Sequence, residues 1–247
     1  ARDGLTIRVA SYGMRNKRAE KTQLNLARKL IAFYEPWLGP FPFDEFNIIE
    51  INELGWGQAP PGTMFITREA FAPLLNDIWS QGVNHRFAHE IAHQYWGHVV
   101  KMGSMEEQWI TESFAEYSSS FAVKQLRGNS EYDKLRENWK NHASVSHDAA
   151  SIPMSYRLLG TNKKAWFDRR NLVYFKGSVL LQALHQDLGD KLFVSFMRNY
   201  QKGLEWRFGT TRDMITLLQK LNGKDYTRLF EDSFWGTKPV PKKLVLK

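Results

Sequence analysis

The sequence predicts an α+β fold, with a small mixed α/β half up to about residue 80 and a mostly helical half after it. Three observations lead there. Short alternating apolar–polar runs fall at 5–11, 47–52 and 63–67, with one helical run at 20–35 among them. Beyond about residue 83 the apolar spacing becomes helical and stays so. With 43% hydrophobic and 14% aromatic residues in 247, the chain can bury a sizeable core, as one large domain or two small ones.

The elements follow in order. Residues 5–11, LTIRVAS, read as a strand. Leu24, Ala27, Ile31 and Tyr34 share a face, which predicts a helix over 20–35 that ends before Pro36 and Gly39. Asn47–Asn52 reads as a strand, Gly55–Gly62 (GWGQAPPG) as a turn-rich loop, and Thr63–Thr67 as an edge strand. A helix is predicted from about Val83 to Val99. Ser104-x-x-Glu107 has the form of a capping box that opens the next helix just before Trp109. Residues 141–165 have weak periodicity and read as loop-rich. Asn171–Leu188 is a helix closed by Gly189, Asp190–Tyr200 is another, and Thr210-x-x-Asp213 caps a third through Leu221.

Charge and cysteine content narrow the function classes. The net charge is +8, but Lys and Arg are scattered, with small clusters at Arg15–Arg18 and Lys242–Lys243. No basic stripe interleaves with aromatics, so a solvated basic surface is expected, with no nucleic-acid partner. No run of about 18 apolar residues occurs, so no membrane span is expected. Ala1-Arg2-Asp3-Gly4 has neither a signal-peptide pattern nor an initiator Met. The chain therefore reads as an excised or processed piece, and its localisation is left open. With no cysteine there are no disulfides and no thiolate metal ligands.

Residues 89–93 are His-Glu-Ile-Ala-His. On a helix, His89 and His93 share a face and can reach one metal ion. Glu90 can then reach a water on that metal. A catalytic zinc usually takes three protein ligands. Glu112 is the natural third, 18 residues intervening after His93, in the second or third turn of the next helix. The expectation is one Zn²⁺ per chain held by His89, His93 and Glu112, with Glu90 as general base. Ala88, Ile91, Ala92, Tyr95 and Trp96 surround the motif with apolar side chains, which predicts a buried helix rather than an amphipathic surface one. Glu116, four residues after Glu112, is a candidate to hydrogen-bond a ligating histidine. His85 and His98 are expected to be structural or solvent-facing.

HEIAHQYWGH, the 18-residue gap, WITESFAEY and Tyr174-Phe175-Lys176-Gly177 together resemble the gluzincin aminopeptidases. That family includes membrane alanyl aminopeptidase and leukotriene-A hydrolase. The run from Tyr34, YEPWLGPFPFDEFNIIEI, is also similar, so the resemblance covers nearly the whole chain. It implies a thermolysin-like catalytic domain over 1–247, with an α/β part over 1–80 and a helical part over 81–247 that carries the zinc site. It implies further domains in the complete protein, and Tyr174 as the donor that stabilises the reaction's oxyanion. On spacing alone, Tyr174 reads rather as a core aromatic.

One segment departs from the family. The Gly-x-Met-Glu-Asn motif, whose Glu grips a substrate's free amino terminus, aligns with Gly57-Gln58-Ala59-Pro60-Pro61. The acid is missing. Gly57, Gln58 and Ala59 remain candidates to bind a peptide as a strand edge, and Glu53 is a candidate substitute for the lost acid. The resemblance thus implies a zinc peptidase acting on a peptide substrate, in the first instance an aminopeptidase. The alternatives are an endopeptidase or narrowly specific peptidase, and a non-catalytic protein-binding relative.

Overall fold

The computed structural model describes residues 4–12, 16–71 and 85–241. The chain divides into two compact units, Ala1–His98 with Ser118–Asp133, and Val99–Tyr117 with Lys134–Lys247. The fold is α+β, as predicted: mostly helical, with a small mixed sheet.

The first unit holds β1 (Thr6–Ala10), α1 (Lys17–Leu38), β2 (Glu45–Ile51), β3 (Gly57–Gln58), β4 (Thr63–Thr67) and α2 (His85–Ala92). The strands form one sheet in the order β1-β2-β4-β3. The first three are parallel, and β3 runs antiparallel to β4. Thr63–Thr67 is therefore not the edge strand that its sequence suggested. Two residues of GWGQAPPG lie outside it, pairing Gly57 with Ile66 and Gln58 with Phe65. Pro60 and Pro61 follow after Ala59, and a residue without an N–H cannot extend a ladder. Phe46, Ile48, Met64 and Ile66 are fully buried, the period-two pattern of a sheet face.

Helix α1 buries Ala27, Leu30, Ile31, Tyr34 and Leu38. It runs through Pro36 to Leu38, beyond its expected end. The proline sits in the last turn, where it removes a single helical bond. Gly39, at φ 95°, then turns the chain, and its N–H bonds the Glu35 carbonyl at 3.0 Å. The buried Tyr34 hydroxyl donates to the Ala88 carbonyl at 3.0 Å, fixing α1 to α2. Helix α2 stops at Ala92 instead of continuing to Val99. The His93 N–H still bonds the His89 carbonyl at 3.1 Å, so the two histidines keep their one-turn relation. Turns follow, with Gly97 at φ 125°. The expected start at Val83, and the charges at Arg15, Lys242 and Lys243, lie outside the described residues.

The second unit holds β5 (Val100–Met102), the first half of α3 (Gln108–Arg127), most of α4 (Asn129–Ser146), α5 (Lys163–Arg170), α6 (Gly177–Gly203), β6 (Arg207–Gly209), α7 (Thr211–Asn222) and α8 (Thr227–Ser233). A π-helical stretch, Asn171–Lys176, leads into α6. Gly189 kinks α6 at φ 72°, where the sequence placed a helix end. The Thr210–Asp213 capping box forms with both of its bonds. The Ser104–Glu107 box does not: Ser104 makes no side-chain cap bond. The Glu107 carboxylate accepts instead from the Thr211 N–H and hydroxyl, at 3.0 and 2.5 Å. A distant partner outcompetes the local one. Residues 141–165 are also more helical than expected. Helix α4 reaches Ser146, Pro153–Leu158 is a 3₁₀ turn, and Asn162 caps α5.

One contact sets the packing of α6 on α3. A Cβ on Gly177 would lie 1.9 Å from Ser113 Oγ. That hydroxyl donates to the Val173 carbonyl at 2.5 Å. Glycine thus lets the start of α6 sit directly on α3, and the hydroxyl ties the residue after Glu112 to the residue before Tyr174. Gly177→Ala is predicted to destabilise the protein by about 1 to 3 kcal/mol through overpacking. Gly203, with nothing within 4 Å of its Cβ position, is the control. Denaturant midpoints should fall for Gly177→Ala and hold or rise for Gly203→Ala.

Candidate metal and catalytic site

His89, Glu90 and His93 sit at the end of α2 and just after it, and His89 and Glu90 are buried. The two imidazoles meet edge to face, 4.6 Å between centroids. His93 Nδ1 lies 2.9 Å from the Trp96 carbonyl. A carbonyl only accepts, so Nδ1 carries the proton and Nε2 presents its lone pair. Glu112 lies in the second turn of α3. His89, His93 and Glu112 each offer one ligand atom, and these atoms all lie within 4.8 Å of one another. Two imidazoles and a carboxylate that close form a donor set suited to zinc. Glu116, one turn on, is buried, and its Oε1 accepts the Trp139 indole N–H at 2.7 Å. Tyr174 is half-buried in the π-helical stretch, a distortion often found at functional sites.

The Gly57–Pro61 segment packs on the motif itself. A Cβ on Gly57 would meet Glu90 Oε1 at 2.6 Å and its Cγ at 2.8 Å. Only glycine lets β3 pass so close to that carboxylate. His98 Nε2 lies 2.6 Å from the Ala59 carbonyl. Gln94 is fully buried and bonds three backbone groups of Pro60–Thr63. Sequence reasoning read His98 as structural or solvent-facing without naming its partner, and gave Gln94 no role. Their place right after His93 was the available signal, but it means something only once the strand is known to lie there.

Of the acids near this segment, Glu53 is exposed and accepts the Trp56 indole N–H at 2.6 Å. Glu69 is buried, and its Oε1 accepts from Arg86 at 2.5 Å, Thr67 Oγ1 at 2.6 Å and the Gly55 N–H at 2.8 Å. Thr67 Oγ1 also lies 2.9 Å from the Trp56 carbonyl. Glu69 thereby anchors the start of the loop. Burial pushes its carboxyl up, but the bonds from Thr67, Gly55 and Arg86 outweigh burial and hold it below the usual value. In the second unit, Arg169 bonds Gln108 and Arg170 lies over the Phe175 ring, 5.0 Å from its centroid. Lys176 Nζ is buried, and burial pushes its ammonium down to about 8.

Residues 22–234 match the Peptidase family M1 domain, and the chain belongs to that family. It is similar to probable aminopeptidase 1 of Saccharolobus solfataricus, 25% identical over 95% of this chain and 30% of that protein. A leucyl aminopeptidase of the same organism is 27% identical over 87% of this chain and 28% of its own length. The chain thus spans less than a third of these relatives. In fold it resembles leukotriene A4 hydrolase from Saccharomyces cerevisiae (TM-score 0.76, 21% identity, all of this chain and 40% of that one). It also resembles an M1 zinc metallopeptidase of Deinococcus radiodurans bound to Tyr-Ser-Ala (TM-score 0.70, 19% identity, 97% of this chain and 51% of that one).

Two predictions follow from the site. Gly57→Ala forces the Glu90 carboxylate aside. With Glu90 as general base, the role proposed for it, peptide turnover should fall by about tenfold or more while zinc content is unchanged. Loss of zinc would instead show that β3 supports the ligands. Glu69→Gln should destabilise the protein by about 1 to 3 kcal/mol, because it weakens a buried ion pair. Glu69's lowered value means its contribution is complete above the ordinary value of about 4.5. That contribution is lost as pH falls through the lower folded value. Unfolding curves of the two proteins should therefore converge at acid pH.

Proposed function

We propose that this chain is the catalytic part of a zinc peptidase that hydrolyses peptide bonds, in the first instance an aminopeptidase, with a thermolysin-like arrangement of its site. The observation that carries this is the approach of His89, His93 and Glu112 within 4.8 Å, with Glu90 between the two histidines in sequence. These three residues would hold one zinc ion. When bound, zinc supplies Lewis acidity, which acidifies water and polarises a carbonyl. Glu90 accepts the proton of the attacking water and passes it to the leaving amine. Its buried setting against Gly57 keeps the carboxylate in one place. Tyr174 donates its hydroxyl proton to the developing oxyanion as a hydrogen bond, without itself becoming charged. The outer edge of β3, at Gly57 and Gln58, binds the peptide main chain as an added strand, with Ala59 completing the run. Glu116 supports the ligand helix through Trp139. The relatives' greater length supports the presence of further domains in the complete protein. Among the described residues no helix is long and apolar enough to cross a membrane.

A second reading keeps the hydrolysis but relaxes the requirement for a free amino terminus. It is favoured by the side chains near β3: Pro60 stands where the family has its acid, Glu53 is engaged by Trp56, and Glu69 is engaged by Arg86. A desolvated ion pair to the ammonium is worth about 2 to 4 kcal/mol. Without it, cleavage of a peptide and its acetylated twin should differ less than in relatives that keep the acid.

The test combines two variants. Glu90→Gln should retain zinc and lose about 100-fold or more in turnover, and His89→Ala should lose zinc. Normal turnover in the first, or full zinc in the second, overturns the assignment.

A further inference from the structure

We infer that Gln94 and His98 are positioning residues that set the register of the substrate-binding strand on the catalytic motif. The inference deepens the peptidase reading and rests on it. Two consecutive prolines follow Ala59, so this stretch lacks two N–H donors; the Thr63 N–H donates to the Pro60 carbonyl at 3.0 Å, and further partners come from elsewhere in the chain. The segment after His93 supplies those partners. Gln94 Oε1 accepts the Gly62 N–H at 2.9 Å, while Nε2 donates to the Pro60 and Thr63 carbonyls, each at 3.2 Å. That uses both ends of the carboxamide in one fixed orientation. His98 Nε2 donates to the Ala59 carbonyl at 2.6 Å, since a carbonyl can only accept. Three of these four bonds come from a side chain with no exposure at all, where a lost partner is costly.

The consequence is geometric. Residues 59–63 are bonded to the chain immediately after His93, and Gly57 touches Glu90. The strand edge that takes the peptide and the group that takes the proton are thus held by one segment, His89–His98. The backbone at residue 60, where the family's acid would stand, turns its carbonyl to Gln94 and is not available to an incoming ammonium. The peptide is then read through the main-chain edge of Gly57 and Gln58, whose position Gln94 and His98 fix. Loosening the clamp should shift the peptide relative to Glu90 while leaving the metal ligands in place.

The test uses the zinc-loaded chain in wild-type form and as Gln94→Leu, His98→Leu and His98→Gln. Wild-type turnover comes first, because its absence would sink the peptidase reading and not the clamp. The clamp itself is read without activity, by amide hydrogen exchange. The Gly62 amide should exchange at least tenfold faster in Gln94→Leu at conditions where global stability is intact. In kinetics, both leucine variants should raise KM several-fold and cut kcat, with zinc content unchanged. His98→Gln, which can still donate to Ala59, should recover most of the loss. Unchanged Gly62 exchange in Gln94→Leu, or wild-type KM and kcat in both leucine variants, overturns the inference. So does equal loss in His98→Leu and His98→Gln, which would mark the ring as packing only.

Discussion

The site depends on one close approach, that of the Gly57 backbone to the Glu90 carboxylate. With a Cβ position only 2.6 Å from Glu90 Oε1, no other residue fits there without moving one partner. The sheet order follows from the same requirement. β3 must lie outside β4 to reach α2, and the prolines after it limit the strand to two residues. The Glu69–Arg86–Thr67 network holds the near end of the loop, and Gln94 with His98 holds the far end. A second close approach, Gly177 on Ser113, fixes Glu112 and Tyr174 in their own unit. In both places a missing side chain lets the backbone come within hydrogen-bonding or van der Waals range of a functional group.

How much of this was legible in the sequence depended on how local the signal was. The α+β class, the Thr210–Asp213 cap and the break at Gly189 rest on short-range rules, and they appear as read. The candidate ligand trio could be named from the sequence because i, i+4 spacing is itself a geometry, and one ligand atom from each of His89, His93 and Glu112 lies within 4.8 Å of the others. The misreadings came from tertiary competition. Glu107 has the spacing of a capping box, yet Thr211, over a hundred residues on, takes its carboxylate. Thr63–Thr67 looked like an edge because the partner outside it is two residues long and sits in a glycine–proline segment. Helix α2 looked longer because Tyr95, Trp96 and Val99 stay apolar after the helix has ended, each buried in turns. Gln94 and His98 gave no periodic signal at all.

In the proposed reading, the altered Gly57–Pro61 segment sets this chain apart from the family pattern. Among the described residues, the two acids that flank this segment, Glu53 and Glu69, are both engaged. Glu53 is held by the Trp56 indole, and Glu69 by Arg86 and two further donors. A buried carboxylate already matched to a guanidinium gains little from a second cation. Under the second reading proposed above, the hydrogen-bonding edge of β3 would take over part of the recognition that a point charge provides in the family pattern.

The central claim is that His89, His93 and Glu112, and not the neighbouring histidines, bind the metal. X-ray absorption at the zinc edge of the zinc-loaded chain tests it most directly. The account predicts two imidazole ligands, with oxygen from a carboxylate and water completing the shell. Three or more imidazoles, drawing in His85 or His98, would contradict it.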